Sequence, residues 1–284
     1  MSATDVVFLL LAGFAASAVN ALAGGGSLVT FPTLVALGLP PVAANVTNSL
    51  GVSPGYVASV VGSRRDLADL ARWQGRRALL ALLPTSVTGT AAGCALLLVT
   101  PGRAFEVVVP FLILGATAAL AFQHRIRALV GRPRDRTAEQ GTSRAVPRSL
   151  GARHSTEQGT RRYPQQRALA LHALVFLGSA YGGYFGAALG VMLVAGLALV
   201  LDESLRYVSA LKNAISAVAG LVTVVVFAAF GPVDWVAVAV LVPATLAGGY
   251  LGARLLMRLP PKYLHATIVT VGTIVGIVLL VRAL

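Results

Sequence analysis

Acidic side chains are scarce in this chain and poorly placed for chemistry. Ten Asp and Glu occur in 284 residues, and none sits in the middle of an apolar segment. Glu106 comes nearest, a few residues inside one end. Carriers of cations and protons commonly hold a buried carboxylate, so a cation substrate is disfavoured. Cysteine occurs once, as Cys94, which excludes an intrachain disulfide and a cysteine-based metal site. The four histidines are scattered and none pairs at metal-ligand spacing, so neither a metal nor another cofactor is expected. The same scatter leaves Gly26-Ser27 without a base, which argues against a serine hydrolase and against an enzyme altogether. Charge of either sign is short: 12% of residues are charged against 56% hydrophobic, too little to cover a soluble domain of this size.

What charge there is runs strongly basic, 23 Lys and Arg for a net of +13, and its distribution decides its meaning. Eleven of the 23 fall between Arg125 and Arg167, and most others stand at the ends of apolar segments. Cytoplasmic loops of membrane proteins have this pattern, and no nucleic-acid partner is implied. The partners expected are the lipid bilayer and a small anionic solute, with self-association left open.

The longest features are uncharged runs. Between Asp5 and Arg64 there are 58 residues without Asp, Glu, Lys, Arg or His, and a second run from Ala168 to Leu201 is broken only by His172. The first run looks at its start like a secretory signal, but Met-Ser-Ala-Thr-Asp carries no Lys or Arg, so it reads as retained. The halves align without gaps at a shift of 165, pairing Gly13 with Gly178, Gly25 with Gly190, Asn48 with Asn213 and Gly55 with Gly220. After a six-residue contraction Pro84 pairs with Pro243, Gly89 with Gly248 and Gly93 with Gly252. Duplicated membrane segments interrupted by glycine are a signature of secondary transporters, with the interruption marking the site.

Val6 to Leu39 would make a helix of roughly 50 Å against a hydrocarbon core of about 30 Å. Gly24-Gly25-Gly26 lies in its middle and Pro40-Pro41 ends it. It is either one long bent crossing or a re-entrant pair of half-helices. Ordinary spans follow near 42–62, 78–99 and 104–123, and the order recurs after Ala168 with spans near 204–230, 235–257 and 263–281. Full crossings would put Arg254, Arg258 and Lys262 outside, against the positive-inside rule, whereas re-entrant runs leave only Arg103 and Arg282 there. The expected fold is therefore an all-α polytopic membrane protein of two inverted repeats, each a Gly-broken re-entrant helix plus three transmembrane helices. The boundaries are 1–123 for the first repeat, 124–167 for an Arg-rich, disordered cytoplasmic linker, and 168–284 for the second. Both termini are expected outside the cytoplasm.

The candidate site follows from the breaks. Non-helical backbone is tolerated in a bilayer only where protein or a wet cavity satisfies it. At Gly24, Gly25, Gly26 and Ser27 the second half-helix would present free amides and a partial positive charge to an anion. The break from Gly182 through Gly186 to Gly190 would approach from the other side. The same glycines would also permit close helix packing. Polar residues on the following spans face the breaks: Asn45, Thr47, Asn48 and Ser49 in the first half, Ser209, Lys212, Asn213 and Ser216 in the second. An amide there is either a ligand or a brace between helices. Lys212 either snorkels to the cytoplasmic face or offers a fixed positive charge beside an anion path.

The stretch from Gly13 to Asn48, with Ala-Gly-Gly-Gly-Ser-Leu-Val-Thr-Phe-Pro-Thr-Leu and then Leu-Gly-Leu-Pro-Pro-Val-Ala-Ala-Asn-Val-Thr-Asn-Ser, resembles the TauE/SafE sulfite exporter family. So do Ala-Leu-Lys-Asn-Ala-Ile-Ser at 210–216, Phe-Gly-Pro-Val-Asp-Trp at 230–235 and Gly-Gly-Tyr-Leu-Gly-Ala-Arg at 248–254. The resemblance implies an inner-membrane permease for small sulfur oxyanions or organosulfonates such as sulfite or sulfoacetate. The second break departs from the family pattern, with Tyr181 and Tyr184 flanking a run that lacks Gly-Gly-Gly, so the pocket there is expected to be reshaped. The expected function is an exporter working by alternating access. The competing readings are a permease for another small anion, a channel, and a membrane scaffold that transports nothing.

Overall fold

The computed structural model of the chain describes residues 2–22, 25–122, 165–201, 205–249 and 261–283. Among them all regular structure is helical. The first half contains α1 (Ala3–Leu22), α2 (Ser27–Ala36), α3 (Pro41–Gly62), α4 (Arg64–Gln74), α5 (Arg76–Val99) and α6 (Gly102–Ala121). The second contains α7 (Gln165–Tyr184), α8 (Leu189–Val200), α9 (Leu205–Phe230), α10 (Trp235–Ala247) and α11 (Pro261–Ala283). The expected linker lies outside the described residues except for its last three, which begin α7. The basic loops at 202–206 and 254–262 also fall largely outside them.

Local chemistry sets the boundaries. Pro41 opens α3 at a position where its missing N–H costs nothing. Gly75, at φ +89, separates α4 from α5. In the segment Phe-Gly-Pro-Val-Asp-Trp the chain leaves α9 and Asp234 caps α10, its carboxylate accepting from the Ala237 amide at 2.9 Å. The expected span at 235–257 stays α-helical to Ala247, and residues 250–260 lie outside the described set.

Both long apolar runs break and fold back on themselves, so neither is one long bent crossing. In the second run Gly182 faces Leu189, Gly178 faces Leu193 and Gly196 faces Leu174. As one number falls the other rises, which makes α7 and α8 an antiparallel hairpin. A Cβ at those glycines would sit 2.8, 2.8 and 2.4 Å from a leucine methyl, so the leucines fill space that only glycine leaves. In the first run α2 returns along α1, and a Cβ at Gly26 would lie 2.3 Å from the Ala16 carbonyl oxygen.

Packing between the two halves comes in matched pairs. Helix α1 lies against α10, and α7 against α5; α3 lies against α10, and α9 against α5. The remaining large contacts join α3 to α9 and α6 to α11. At the α5–α7 contact the backbones touch: a Cβ on Gly89 would come 2.5 Å from the Phe176 oxygen, one on Gly93 2.0 Å from the Ala180 oxygen, and one on Gly183 2.3 Å from the Thr90 oxygen. Gly248 makes the corresponding approach to Phe14 of α1, at 2.2 Å. These are small-residue crossings of the kind that hold helices together in lipid, where apolar burial gives no drive to associate. The Ser86 and Ser179 hydroxyls add a buried hydrogen bond of 2.9 Å across α5 and α7.

The distribution of side chains is that of a chain solvated by hydrocarbon. Phe8, Leu11, Val99, Leu177, Leu199, Val225 and Phe230 are exposed, while Thr30, Asn45, Thr47, Asn48, Ser86, Ser179 and Thr245 are buried. Gly93→Ala is expected to cost about 3 kcal/mol, the upper end of overpacking penalties, because neither backbone can give way. Gly115 of α6 has open space around it, and Gly115→Ala is expected to be neutral or to stabilise by up to about 1 kcal/mol. Thermal unfolding of both variants in detergent, read by size-exclusion, checks the pair.

Candidate functional site

The tips of the two hairpins meet. At the first tip Ala23 and Gly24 lie outside the described residues, and Gly25 and Gly26 lead into α2. The carbonyl of Gly25 accepts from Leu28 at 3.1 Å and that of Gly26 from Val29 at 2.9 Å, so helical bonding begins there. The amides ahead of it head the helix. Gly26 has helical angles; it must be glycine because it touches α1, rather than because the chain turns there.

The second tip has a different build. Helix α7 continues through Gly182 and Gly183, which serve packing against Leu189 and Thr90. Its end is a left-handed turn at Gly186, φ +71, with the amides of Phe185 and Gly186 both donating to the Tyr181 carbonyl at 2.9 and 3.0 Å. Ala188 is also left-handed, at φ 55. The Tyr181 hydroxyl straps this turn by donating to the Ala187 carbonyl at 2.6 Å. Phe185 packs edge-on against Phe31 of α2 and Phe105 of α6, with ring centroids 5.2 and 6.3 Å apart. Tyr184 packs on Phe105. The two tyrosines therefore shape the turn from behind, and neither is a wall of the cavity.

Between the tips lies a cavity of about 20 Å³, room for one water-sized occupant. Its walls are Ser27 of α2, Ser49, Val52, Ser53 and Tyr56 of α3, Gly182, Phe185, Gly186 and Leu189 of the second hairpin, and Ser216, Ala219, Gly220 and Thr223 of α9. Among the described residues six hydroxyls line it and no carboxylate, amine or guanidinium does. The Ser49 hydroxyl donates to the Asn45 carbonyl at 2.9 Å, and Ser53 to the Ser49 carbonyl at 2.5 Å and to that of Gly220 at 3.2 Å. Thr223 donates to the Gly220 carbonyl at 2.8 Å. The hydroxyls of Tyr56 and Ser27 stand beside one another on this wall. Ser216 is 2% exposed, and its hydroxyl has no hydrogen-bond partner among the described residues.

Of the residues expected from sequence, Ser27, Ser49 and Gly186 are walls and Gly25 and Gly26 adjoin them. Gly190 is buried in the first turn of α8, outside the lining. Both asparagines have protein partners. The Asn48 amide oxygen accepts from Thr30 and ties α2 to α3. The Asn213 amide nitrogen donates to the Ser63 hydroxyl at 3.1 Å and the Ser59 carbonyl at 3.4 Å, tying α9 to the end of α3. Lys212 is half-buried on α9, one turn before Ser216 and on the same side of the helix. Ser53, Tyr56, Phe185 and Thr223 are walls that the sequence reading passed over. A signal for two of them was present, since Ser49, Ser53 and Tyr56 recur at helical spacing and make one polar stripe. Among the described residues no group of His, Cys, Asp and Glu could hold a metal ion.

A family model described as sulfite exporter TauE/SafE matches residues 9–279. A Haemophilus influenzae protein named "Probable membrane transporter protein" is 25% identical over 256 residues, covering 89% of this chain and 85% of its own. A Sinorhizobium protein named "Probable membrane transporter protein ORF9" is 29% identical over 110 residues, 38% of this chain and 40% of its own. No solved structure matches.

Gly186→Ala places a Cβ in the left-handed region and 3.0 Å from the Gly182 carbonyl oxygen. It is expected to cost about 1–2 kcal/mol, the usual penalty for that conformation, and Tyr181→Phe about 1 kcal/mol for its lost hydrogen bond. Thermal midpoints of the two variants against the parent chain check both.

Proposed function

The chain belongs to the sulfite exporter TauE/SafE family and is a membrane-embedded transporter, and from that premise we propose that it moves small sulfur oxyanions or organosulfonates, such as sulfite or sulfoacetate, outward across the inner membrane by alternating access. The observation that carries the proposal is the hydroxyl-lined cavity between two hairpin tips. Interrupted helices meeting at a small polar cavity are how carriers build a midplane site.

In this reading the amides and hydroxyl at Gly24, Gly25, Gly26 and Ser27 hold the anion at the positive end of α2. Ser49, Ser53 and Ser216 complete its hydrogen bonds. Gly186 and Gly190 let the second tip approach closely. Lys212 attracts the anion from the cytoplasmic side of α9, and Asn48 and Asn213 hold the helices that position the hydroxyls. A cavity of about 20 Å³ fits the closed stage of the cycle, with one repeat rocking against the other to open it.

The matched packing of α1 on α10 and α7 on α5 supports two inverted repeats, 1–123 and 168–284, joined by a cytoplasmic linker at 124–167. Helix α4 supports the same orientation: Leu70 is buried while Arg64, Arg65 and Arg72 are exposed, as on a helix lying at a cytoplasmic interface. An inside-negative potential drives a lone anion outward by about 2.3 kcal/mol per charge per 100 mV, so export needs no coupled ion.

The test is counterflow of labelled sulfite into proteoliposomes preloaded with unlabelled sulfite, taurine, sulfoacetate or sulfate. Saturable uptake that depends on a preloaded sulfur oxyanion or sulfonate is expected, and no exchange with any of them from folded protein would overturn the proposal. Lys212→Met is expected to cut flux roughly tenfold with expression intact, the effect of about 1.4 kcal/mol of lost attraction. A C-terminal tail protected from protease in right-side-out vesicles would refute the inverted arrangement.

A further inference from the structure

From the hydrogen-bond inventory of the cavity we infer that the transported species is a singly charged oxyanion carrying its own proton, which for sulfite is hydrogen sulfite rather than the dianion. The inference rests on the anion-carrier reading above and concerns which protonation state that site takes. A hydroxyl has one proton and two lone pairs. Ser49, Ser53 and Thr223 have each committed that proton to a backbone carbonyl. Toward the cavity they can only accept. The Ser27 and Tyr56 hydroxyls stand beside one another on the wall, so even if one donates to the other the pair keeps at least one proton to offer. Ser216, buried and without a partner, is a donor or an acceptor as its occupant requires.

A dianion with no proton offers acceptors alone and would meet three oxygens that cannot donate to it. Each such mismatch in a closed site forfeits a hydrogen bond that water supplied, at about 1–3 kcal/mol. The monoanion answers one of these three oxygens with its own O–H, so it meets one mismatch fewer than the dianion. Its other oxygens take the protons of Ser216, the Ser27–Tyr56 pair and the head of α2. Charge points the same way, because the desolvation cost of an ion grows with the square of its charge. Among the described residues Tyr56 is the one titratable wall residue. Lys212 stands a turn away on α9 and attracts a dianion more than a monoanion, but that attraction grows linearly with charge while the desolvation cost grows as its square. Helices α2, α7 and α8 bring no titratable side chain to the walls among the described residues.

The experiment measures the KM for total sulfite in proteoliposomes of the full chain, with pH matched on both sides. The two settings are one pH unit below and one above sulfite's second pKa. The protonated fraction falls roughly tenfold between them, so KM for total sulfite is expected to rise roughly tenfold while KM expressed as hydrogen sulfite stays constant. Thr223→Val and Ser49→Ala each remove an accepting oxygen and are expected to shrink that ratio. Saturable exchange whose KM is flat, or falls as pH rises, overturns this inference and leaves the carrier reading standing. A tenfold ratio that survives both substitutions also overturns it, because a titrating protein group would then be responsible. Absence of exchange at both settings fails the carrier reading itself.

Discussion

A polar group inside hydrocarbon must find a partner. Among the described residues helix α3 takes part in most of the hydrogen bonds that answer that constraint around the two hairpin tips, although the Asn45 amide oxygen itself is left without one. Its side chains reach nearly every neighbour. Asn45 donates to the Tyr184 carbonyl at the end of α7, at 2.9 Å, and Asn48 takes the Thr30 hydroxyl of α2. Thr47 accepts from the Asp234 amide at the start of α10, at 3.0 Å, and Ser53 reaches the Gly220 carbonyl of α9. The α3 backbone accepts as well, Gly51 from Thr245 of α10 at 2.7 Å and Ser59 from Asn213. Both hairpin tips are thus fixed to one helix by side-chain amides three residues apart. The cavity exists because α3 holds the two tips at the same height while Ser49 and Tyr56 pass between them.

The glycines make this arrangement affordable in space. Gly89 and Gly93 bring α5 against α7, and Gly13 and Gly248 join α1 to α10. Each broken run is thereby clamped by a helix from the other half. That clamp matters because a break exposes backbone amides and carbonyls that hydrocarbon cannot solvate, at several kcal/mol each. Two glycine functions that sequence presents as rivals, site and packing, are divided by position: Gly186 turns the chain, whereas Gly182, Gly183, Gly89 and Gly93 let backbones meet.

Much of this was legible in the sequence. Uncharged runs too long for one crossing, with glycine inside them, pointed to the hairpins, and the spans expected from 42 and 235 begin within a residue of α3 and α10. What stayed hidden depends on contacts between distant segments. No local pattern says that Asn45 caps a helix 139 residues away. Nor does one show that Asn213, the repeat mate of Asn48, bonds elsewhere. The reason is nevertheless simple once the structure is known. The mate of Thr30 is Ala195, so Asn213 has no hydroxyl on α8 to take and turns to Ser59 and Ser63 instead. The hydroxyl stripe Ser49, Ser53 and Tyr56 was readable in outline, but that its protons point at backbone carbonyls is a matter of geometry.

The repeat mates α3 and α9 have diverged toward different tasks. Asn45, Thr47 and Ser53 of α3, each bonded to another helix, correspond in α9 to Ala210, Lys212 and Val218. In return α9 places Ser216 where α3 has Gly51. That glycine cannot be larger, since a Cβ there would meet Leu241 of α10 at 2.7 Å, so the first half has no room for a hydroxyl at the matching place. The helix that bears the braces is tied to both tips and must keep its shape. The helix that bears Lys212 also bears Ser216, a buried hydroxyl without a hydrogen-bond partner among the described residues. In a duplicated sequence the mate of a bracing helix is released from those particular bonds, so substitutions at Ala210, Lys212 and Val218 of α9 are expected to disturb the hairpin tips less than substitutions at Asn45, Thr47 and Ser53 of α3.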